Sequence, residues 1–217
     1  MASTEGRSPD PDGSVSRYQF GANPRHARRL LHYYSRFFNR GLVVDLGAGR
    51  GYFLEALRSR DIECIGVDIS EEAATYCRQQ GFSIVISDAV EYLESARNLG
   101  GVFASHLVEH MPPTSVERLL EVAFQAMAPG GNVVIVTPNI KDWRVWSETF
   151  WLDLTHVRPY PPALLEVMLS AAGFRVEGSG LGPVPHSPRD LVGIGVGRLR
   201  HGWDYGRSEV WVKAVKP

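Results

Sequence analysis

Short apolar runs alternate along this chain with longer amphipathic stretches, and that alternation predicts most of its elements. Leu42-Val43-Val44-Asp45-Leu46 is a continuous apolar run ending in a glycine-rich turn, the pattern of a buried strand feeding a helix. Four further runs read as strands: residues 63–67, 83–86, 102–105 and 132–136. Helical spacing between them predicts helices over residues 51–60, 71–80, 89–96 and 115–127. Apolar strands alternating with helices imply an α/β fold, a doubly wound, mostly parallel sheet with right-handed crossovers.

The flanks break this rhythm. Residues 22–39 are basic and aromatic, with Leu30, Leu31, Tyr34, Phe37 and Phe38 at helical spacing, and read as a helix packed across the sheet or over a bound ligand. Residues 138–160, rich in Trp, Phe, Tyr and charge, read as a cap inserted after the fifth strand. A helix over 162–172, a turn at Gly173, a strand from Phe174, a Gly/Pro-rich segment over 178–206 and a last strand over 209–215 complete seven strands. Residues 1–16, rich in Ser, Pro, Gly and Asp, are expected to be a disordered tail, leaving 17–217 as one domain.

Composition narrows the partners. With 23 Lys+Arg against 24 Asp+Glu, the net charge of −1 argues against a protein that holds nucleic acid through a general basic field. Neither a signal peptide nor a membrane span is expected, and two cysteines without metal-ligand spacing suit a reducing cytoplasm. Cys64 and Cys77 read as buried small hydrophobes.

The chemistry begins at Asp45-Leu46-Gly47-Ala48-Gly49-Arg50-Gly51. A strand, a glycine-rich turn and a helix N-terminus in this order let backbone approach a ligand closely. A nicotinamide dinucleotide fits poorly, because Tyr52 stands where the dinucleotide fingerprint needs Gly or Ala. Asp45 would also be unwelcome beside a pyrophosphate, and suits a ligand carrying an ammonium and a sulfonium. Asp68, 21 residues past Gly47, closes the second strand where an acid accepts both ribose hydroxyls. Ile69 can lie against an adenine face, and Ser70 can cap the next helix. Asp88-Ala89 after the third strand suits the adenine amino group, with a helix cap as the plainer role for Asp88.

The segments VVDLGAGRGYFLEAL, CIGVDIS, SDAVEYL, the strand before HLVEH, and MAPGGNVVIVTPN resemble the class I S-adenosylmethionine-dependent methyltransferases over residues 42–177. The resemblance implies strand order 3-2-1-4-5-7-6 with the seventh strand antiparallel. It also implies cofactor contacts from Asp45, Gly47, Ala48, Gly49, Asp68, Ile69, Asp88, Ala89 and the strand-four end near His106.

Methyl transfer to a hydroxyl needs a base or a metal near the methyl group. His106-Leu107-Val108-Glu109-His110 follows the fourth strand, and the cap supplies Asp153-Leu154-Thr155-His156-Val157-Arg158-Pro159-Tyr160. The arrangement resembles the small-RNA 3′-terminal 2′-O-methyltransferases, whose E-x-x-E-H motif and later His hold a divalent metal on a vicinal diol. Glu109, His110 and His156 match that pattern, and His106 replaces its first Glu. The resemblance therefore implies His106, Glu109, His110 and His156 as ligands of Mn²⁺, Mg²⁺ or Fe²⁺, with Glu109, His110 and His156 catalytic. The competing reading makes His110 a general base without metal. Ubiquinone-pathway O-methyltransferases share the E-H segment, and DxTHxRPY after a TPN turn is similar to methyltransferases of bacterial polysaccharide and sugar pathways. Asp153 and Arg158 read most simply as a salt bridge organising the cap.

These residues point to an O-methyltransferase acting on a sugar or glycan hydroxyl. The alternatives are a quinol, phenol or other small natural product, or an RNA end, which the neutral charge and lack of an RNA-binding module weigh against. A cofactor-binding regulatory subunit without turnover is the non-enzyme alternative. A zinc protease is disfavoured, since Pro112-Pro113 leaves little helix to present both His of HxxEH. Trp143, Trp146, Phe150, Trp151 and Tyr160 suit either a ring-stacking surface or a hydrophobic lid.

Overall fold

Continuous burial selects the central strands. All four residues of β1 (Val43–Leu46) are buried, as are five of the seven in β4 (Leu99–Ser105). They belong to a sheet that also contains β2 (Cys64–Asp68), β3 (Ile84–Ile86), β5 (Met127–Pro138), β6 (Arg175–Leu181) and β7 (Glu209–Val215). The computed structural model describes residues 24–183 and 207–217. The expected tail over 1–16 and residues 184–206 of the Gly/Pro-rich segment lie outside those residues.

The strand order is β3-β2-β1-β4-β5-β7-β6. β1, β2, β3, β4 and β5 pair in parallel, and β7 runs antiparallel to both its neighbours. Order and direction agree with the resemblance. The helices are α1 (Pro24–Ser35), α2 (Tyr52–Arg58), α3 (Glu71–Gln79), α4 (Ala89–Ser95), α5 (Pro113–Ala126), α6 (Phe150–Leu152) and α7 (Pro162–Ala171). None of the described helices is long and apolar enough to cross a membrane.

Several boundaries move for physical reasons. β4 begins at Leu99, three residues before the expected start, because Leu99 pairs with Met127 across a bulge at Gly100. β5 runs five residues earlier and two later than the hydrophobic run suggests, its end held by pairing of Pro138 with Glu209. The fifth helix starts at Pro113, a residue well suited to the first helical turn because it lacks the N–H that would be orphaned there.

Apolar surface is buried on both faces of the sheet. One side packs Val116, Leu119, Leu120, Leu165 and Leu169 of α5 and α7 with strand residues such as Val102 and Ile135. The other gathers Tyr34 of α1, Phe38, Phe53 and Leu57 of α2 with Phe103 and Val134. Phe53 stacks on Phe103 with ring centroids 3.8 Å apart. This rigid floor fixes the carboxyl ends of β1 and β4. There the connections diverge to opposite sides of the sheet, and open α/β sheets bind ligands in the resulting crevice.

Candidate active site

The glycine-rich turn wraps over the end of β2. The amides of Gly47 and Ala48 both donate to the Val67 carbonyl, at 2.8 and 3.1 Å. Gly51, with φ of +68°, would place any Cβ 2.9 Å from the Cys77 sulfur, so both the turn and the helix behind it require glycine. The Gly49 amide donates to Asp68 Oδ2 at 2.8 Å, and the Ser70 amide to Asp68 Oδ1 at 2.9 Å. Each carboxylate oxygen keeps a lone pair for another donor. Ile69 beside it is 72% exposed, a flat apolar surface next to an acid. Ser70 caps α3 by accepting from the Ala73 amide, as the sequence suggests. Asp88 caps α4 through Oδ1, which accepts from the Val90 and Glu91 amides. Ala89 behind it is buried.

Asp45 is buried at the carboxyl half of β1. Burial, and then the charge of Asp68, pushes its pKa up to about 8. The folded chain thus keeps a proton that the unfolded chain releases near pH 4. Stability should fall as pH rises from about 4 towards 8, because the native state binds the extra proton over that window. Urea unfolding of the protein and of Asp45→Asn at about pH 5 and pH 8 checks this. The variant's stability relative to wild type should rise with pH; a constant difference contradicts it.

A second group forms beyond β4. His106 leaves the strand with φ of +53° and turns the chain into a single 3₁₀ turn, Val108–His110. Leu107 of this segment lies 3.5 Å from where a Cβ on Gly47 would stand, so the turn adjoins the cofactor loop. The Glu109 carbonyl accepts from the amides of Val157 and Arg158, and the Tyr160 hydroxyl donates to the Met111 carbonyl. These bonds bring the cap back onto the turn and set His156 beside His110, with ring centroids 4.7 Å apart. Within the described residues, Glu109, His110 and His156 form one cluster whose candidate ligand atoms all lie within 4.8 Å of one another.

Hydrogen bonds settle which atoms are free. His156 Nδ1 lies 2.6 Å from the Phe150 carbonyl, which only accepts, so Nδ1 carries the proton and Nε2 the lone pair. The Thr155 hydroxyl donates to Asp153 Oδ1 at 2.6 Å and hence accepts from His110 Nδ1 at 2.7 Å, freeing His110 Nε2 as well. Burial above all holds His110 below its ordinary pKa, which keeps it neutral. Glu109 is fully buried, and its Oε2 has no hydrogen-bond partner among the described residues. Two imidazole lone pairs and an orphaned carboxylate oxygen make a set that suits a divalent cation. Each imidazole also has the outer hydrogen bond that such ligands require.

Two expectations need correction. His106 is not part of the cluster: Nδ1 faces Glu109 Oε1 at 3.0 Å and Nε2 faces Glu209 Oε2 at 3.3 Å, so neither nitrogen is free for a cation. Desolvation opposes charge on this ring, but the bonds to Glu109 and Glu209 outweigh it and push its pKa up to about 10. The ring's edge is open, with the side chain 47% exposed, while its nitrogens point at buried carboxylates. Asp153 and Arg158 form no salt bridge. Asp153 instead accepts from the Thr155 amide and hydroxyl through Oδ1, with Oδ2 4.0 Å from His156 Nε2, and Arg158 turns to the Pro159 carbonyl. Burial opposes ionisation of Asp153, yet the Thr155 bonds hold its pKa below the usual value.

The cap aromatics divide. Phe150 and Tyr160 are buried, Phe150 stacking on His156 at 4.4 Å. Trp143, Trp146 and Trp151 are 59, 42 and 53% exposed. Trp151 lies edge-on to both Trp146 and Phe150, so the exposed indoles connect to the His156 ring through the buried Phe150 ring.

Residues 18–178 match the model of a protein family described as methyltransferase domain. The chain is 29% identical to a SAM dependent methyltransferase from Archaeoglobus fulgidus, with a TM-score of 0.77 over 93% of this chain and 98% of that one. It is 28% identical to the ubiquinone biosynthesis O-methyltransferase of Methylococcus capsulatus over 60% of this chain. It is 27% identical to the biotin biosynthesis bifunctional protein BioHC of Cellvibrio japonicus over 50% of this chain. The alignments span only 56% and 22%, respectively, of those two relatives.

Proposed function

The chain belongs to the class I S-adenosylmethionine-dependent methyltransferases, and from that premise we propose that it methylates a hydroxyl of a sugar or glycan with help from a divalent cation. The observation that carries this reading is the buried Oε2 of Glu109, without a hydrogen-bond partner among the described residues, in a side chain clustered with His110 and His156, whose ring hydrogen bonds there are made through Nδ1. A buried carboxylate oxygen without a donor is costly, and a cation there removes the cost.

Asp45, Gly47, Ala48, Gly49, Asp68, Ile69, Asp88 and Ala89 form the cofactor site in this reading, with His106 at its edge. S-adenosylmethionine, when bound, supplies the electrophilic methyl group. The residues fit it: the buried Asp45 carboxyl would meet the cofactor's positive charge, Asp68, with an acceptor lone pair left on each oxygen, would take the ribose hydroxyls, and the exposed Ile69 would cover the adenine. Glu109, His110 and His156 hold Mn²⁺, Mg²⁺ or Fe²⁺. A divalent cation, when bound, favours the ionised form of a sugar hydroxyl, which is a poor nucleophile at neutral pH. Trp151 and Trp146 offer ring faces on which a sugar can rest next to the histidines.

The second reading is favoured by the ubiquinone-pathway relative: a phenol or quinol hydroxyl as acceptor. Such a hydroxyl loses its proton more readily, and His110 Nε2 alone can take it. The chain from His110 Nδ1 through Thr155 to Asp153 then fixes the tautomer and steadies the imidazolium that forms.

A methyl-labelled donor offered with glycosides bearing vicinal diols, and separately with catechols and quinols, distinguishes the two. We expect label on the sugar hydroxyl, lost on chelation and restored by Mn²⁺. Label confined to phenols or quinols and indifferent to chelator overturns the first reading in favour of the second.

A further inference from the structure

Behind the cation site lies a chain of hydrogen bonds that the proposed reaction does not use. Tyr34 of α1 donates its hydroxyl to Glu209 Oε1 at 2.7 Å. Glu209, the first residue of β7, faces His106 Nε2 through Oε2 at 3.3 Å. His106 Nδ1 in turn faces Glu109 Oε1 at 3.0 Å. Tyr34, Glu209 and Glu109 are 0, 5 and 0% exposed, and only His106 between them reaches solvent. The chain joins residues 175 apart in sequence and ends on Glu109, whose Oε2 has no hydrogen-bond partner among the described residues.

We propose that Tyr34, Glu209 and His106 are positioning residues that lock Glu109 with Oε1 turned inward and Oε2 presented to the cation. Helix α1 and strand β7 thereby set the affinity of a site they do not touch. The inference rests on the metal reading above. Without its inner anchor, the Glu109 carboxylate would be free to rotate, and ordering it would fall to the cation. The surroundings keep the chain intact. The Gly182 amide donates to the Glu209 carbonyl at 2.9 Å. A Cβ on Gly182 would lie 2.5 Å from Glu209 Cγ and 2.8 Å from the Tyr34 hydroxyl, so only glycine leaves room for their bond.

The test is Mn²⁺ affinity, measured by titration of the free ion, in wild type, Tyr34→Phe, Glu209→Gln and Gly182→Ala. None of these three residues belongs to the cation cluster. Phe174→Leu, a core change packed on Phe124 at the opposite end of the molecule's α5 layer, serves as the stability control. Loss of an outer-shell partner weakens a metal site by about 10- to 100-fold. We expect that range for Glu209→Gln, a smaller weakening for Tyr34→Phe and Gly182→Ala, and unchanged affinity for Phe174→Leu even where its Tm falls equally. Wild-type affinity in Tyr34→Phe and Glu209→Gln overturns the proposal, as does equal weakening in Phe174→Leu. Failure of the wild-type protein to bind Mn²⁺ defeats the metal reading itself, and this proposal with it, before any variant is compared.

Discussion

Replacing His156 by alanine should slow methyl transfer by about 100- to 10,000-fold, the range spanned by loss of a group that assists proton removal. The ring cannot be replaced by a neighbour. Its Nδ1–H is committed to the Phe150 carbonyl, its face to the Phe150 ring, and its Nε2 to the cluster with Glu109 and His110. Alanine deletes the only cluster member contributed by the cap. The fold should survive, since the Val157, Arg158 and Tyr160 bonds that dock the cap involve atoms other than the imidazole. The loss should therefore appear in kcat, with the donor's affinity little changed, in single-turnover measurements at saturating S-adenosylmethionine. A rate within about threefold of wild type would remove His156 from the reaction, with the loss then sought in His110.

Asp68→Ala should weaken binding of S-adenosylhomocysteine by about 100-fold. Hydrogen bonds to an ionised group contribute about 1.5–3 kcal/mol each, and two ribose hydroxyls would lose theirs. The same carboxylate anchors the Gly49 amide on one side and the Ser70 amide on the other, so its removal also frees the glycine-rich turn. Asp68→Asn separates the two contributions. The amide keeps one acceptor oxygen and can hold one of the backbone bonds, so its loss should be smaller than that of alanine. Calorimetric titration checks both variants. Affinity within about threefold of wild type in Asp68→Ala would place the ribose elsewhere.

The sheet was legible because its signals are local. Five apolar runs, the first four each followed by a turn and an amphipathic stretch, mark the parallel strands, and the glycine turn after β1 marks the loop at the switch point. Where boundaries slipped, pairing partners far along the chain decided them: Leu99 is a strand residue because Met127 lies beside it. The site was legible as residue types but not as an arrangement. His106, Glu109 and His110 share one short segment, which says nothing about where each side chain points. The left-handed backbone at His106 sends its ring between Glu109 and Glu209 and away from the cluster. The partners of Thr155, Phe150, Tyr34 and Glu209 stayed hidden for the same reason. They lie 6 to 175 residues away, and neither the DxTHxRPY motif around Thr155 nor the aromatic spacing of Tyr34 and Phe150 names them. Asp153 looked like a partner for Arg158, but a hydroxyl and an amide two residues on offered it closer donors.

The proposed site of Glu109, His110 and His156, holding a cation beside the methyl donor, is tested by electron paramagnetic resonance of free Mn²⁺ titrated into protein saturated with S-adenosylhomocysteine, alongside His110→Ala and His156→Ala. One tightly bound Mn²⁺ per wild-type chain is expected, with binding lost in both variants. Mn²⁺ that stays free in the wild-type protein, or that binds equally well in all three proteins, would contradict it.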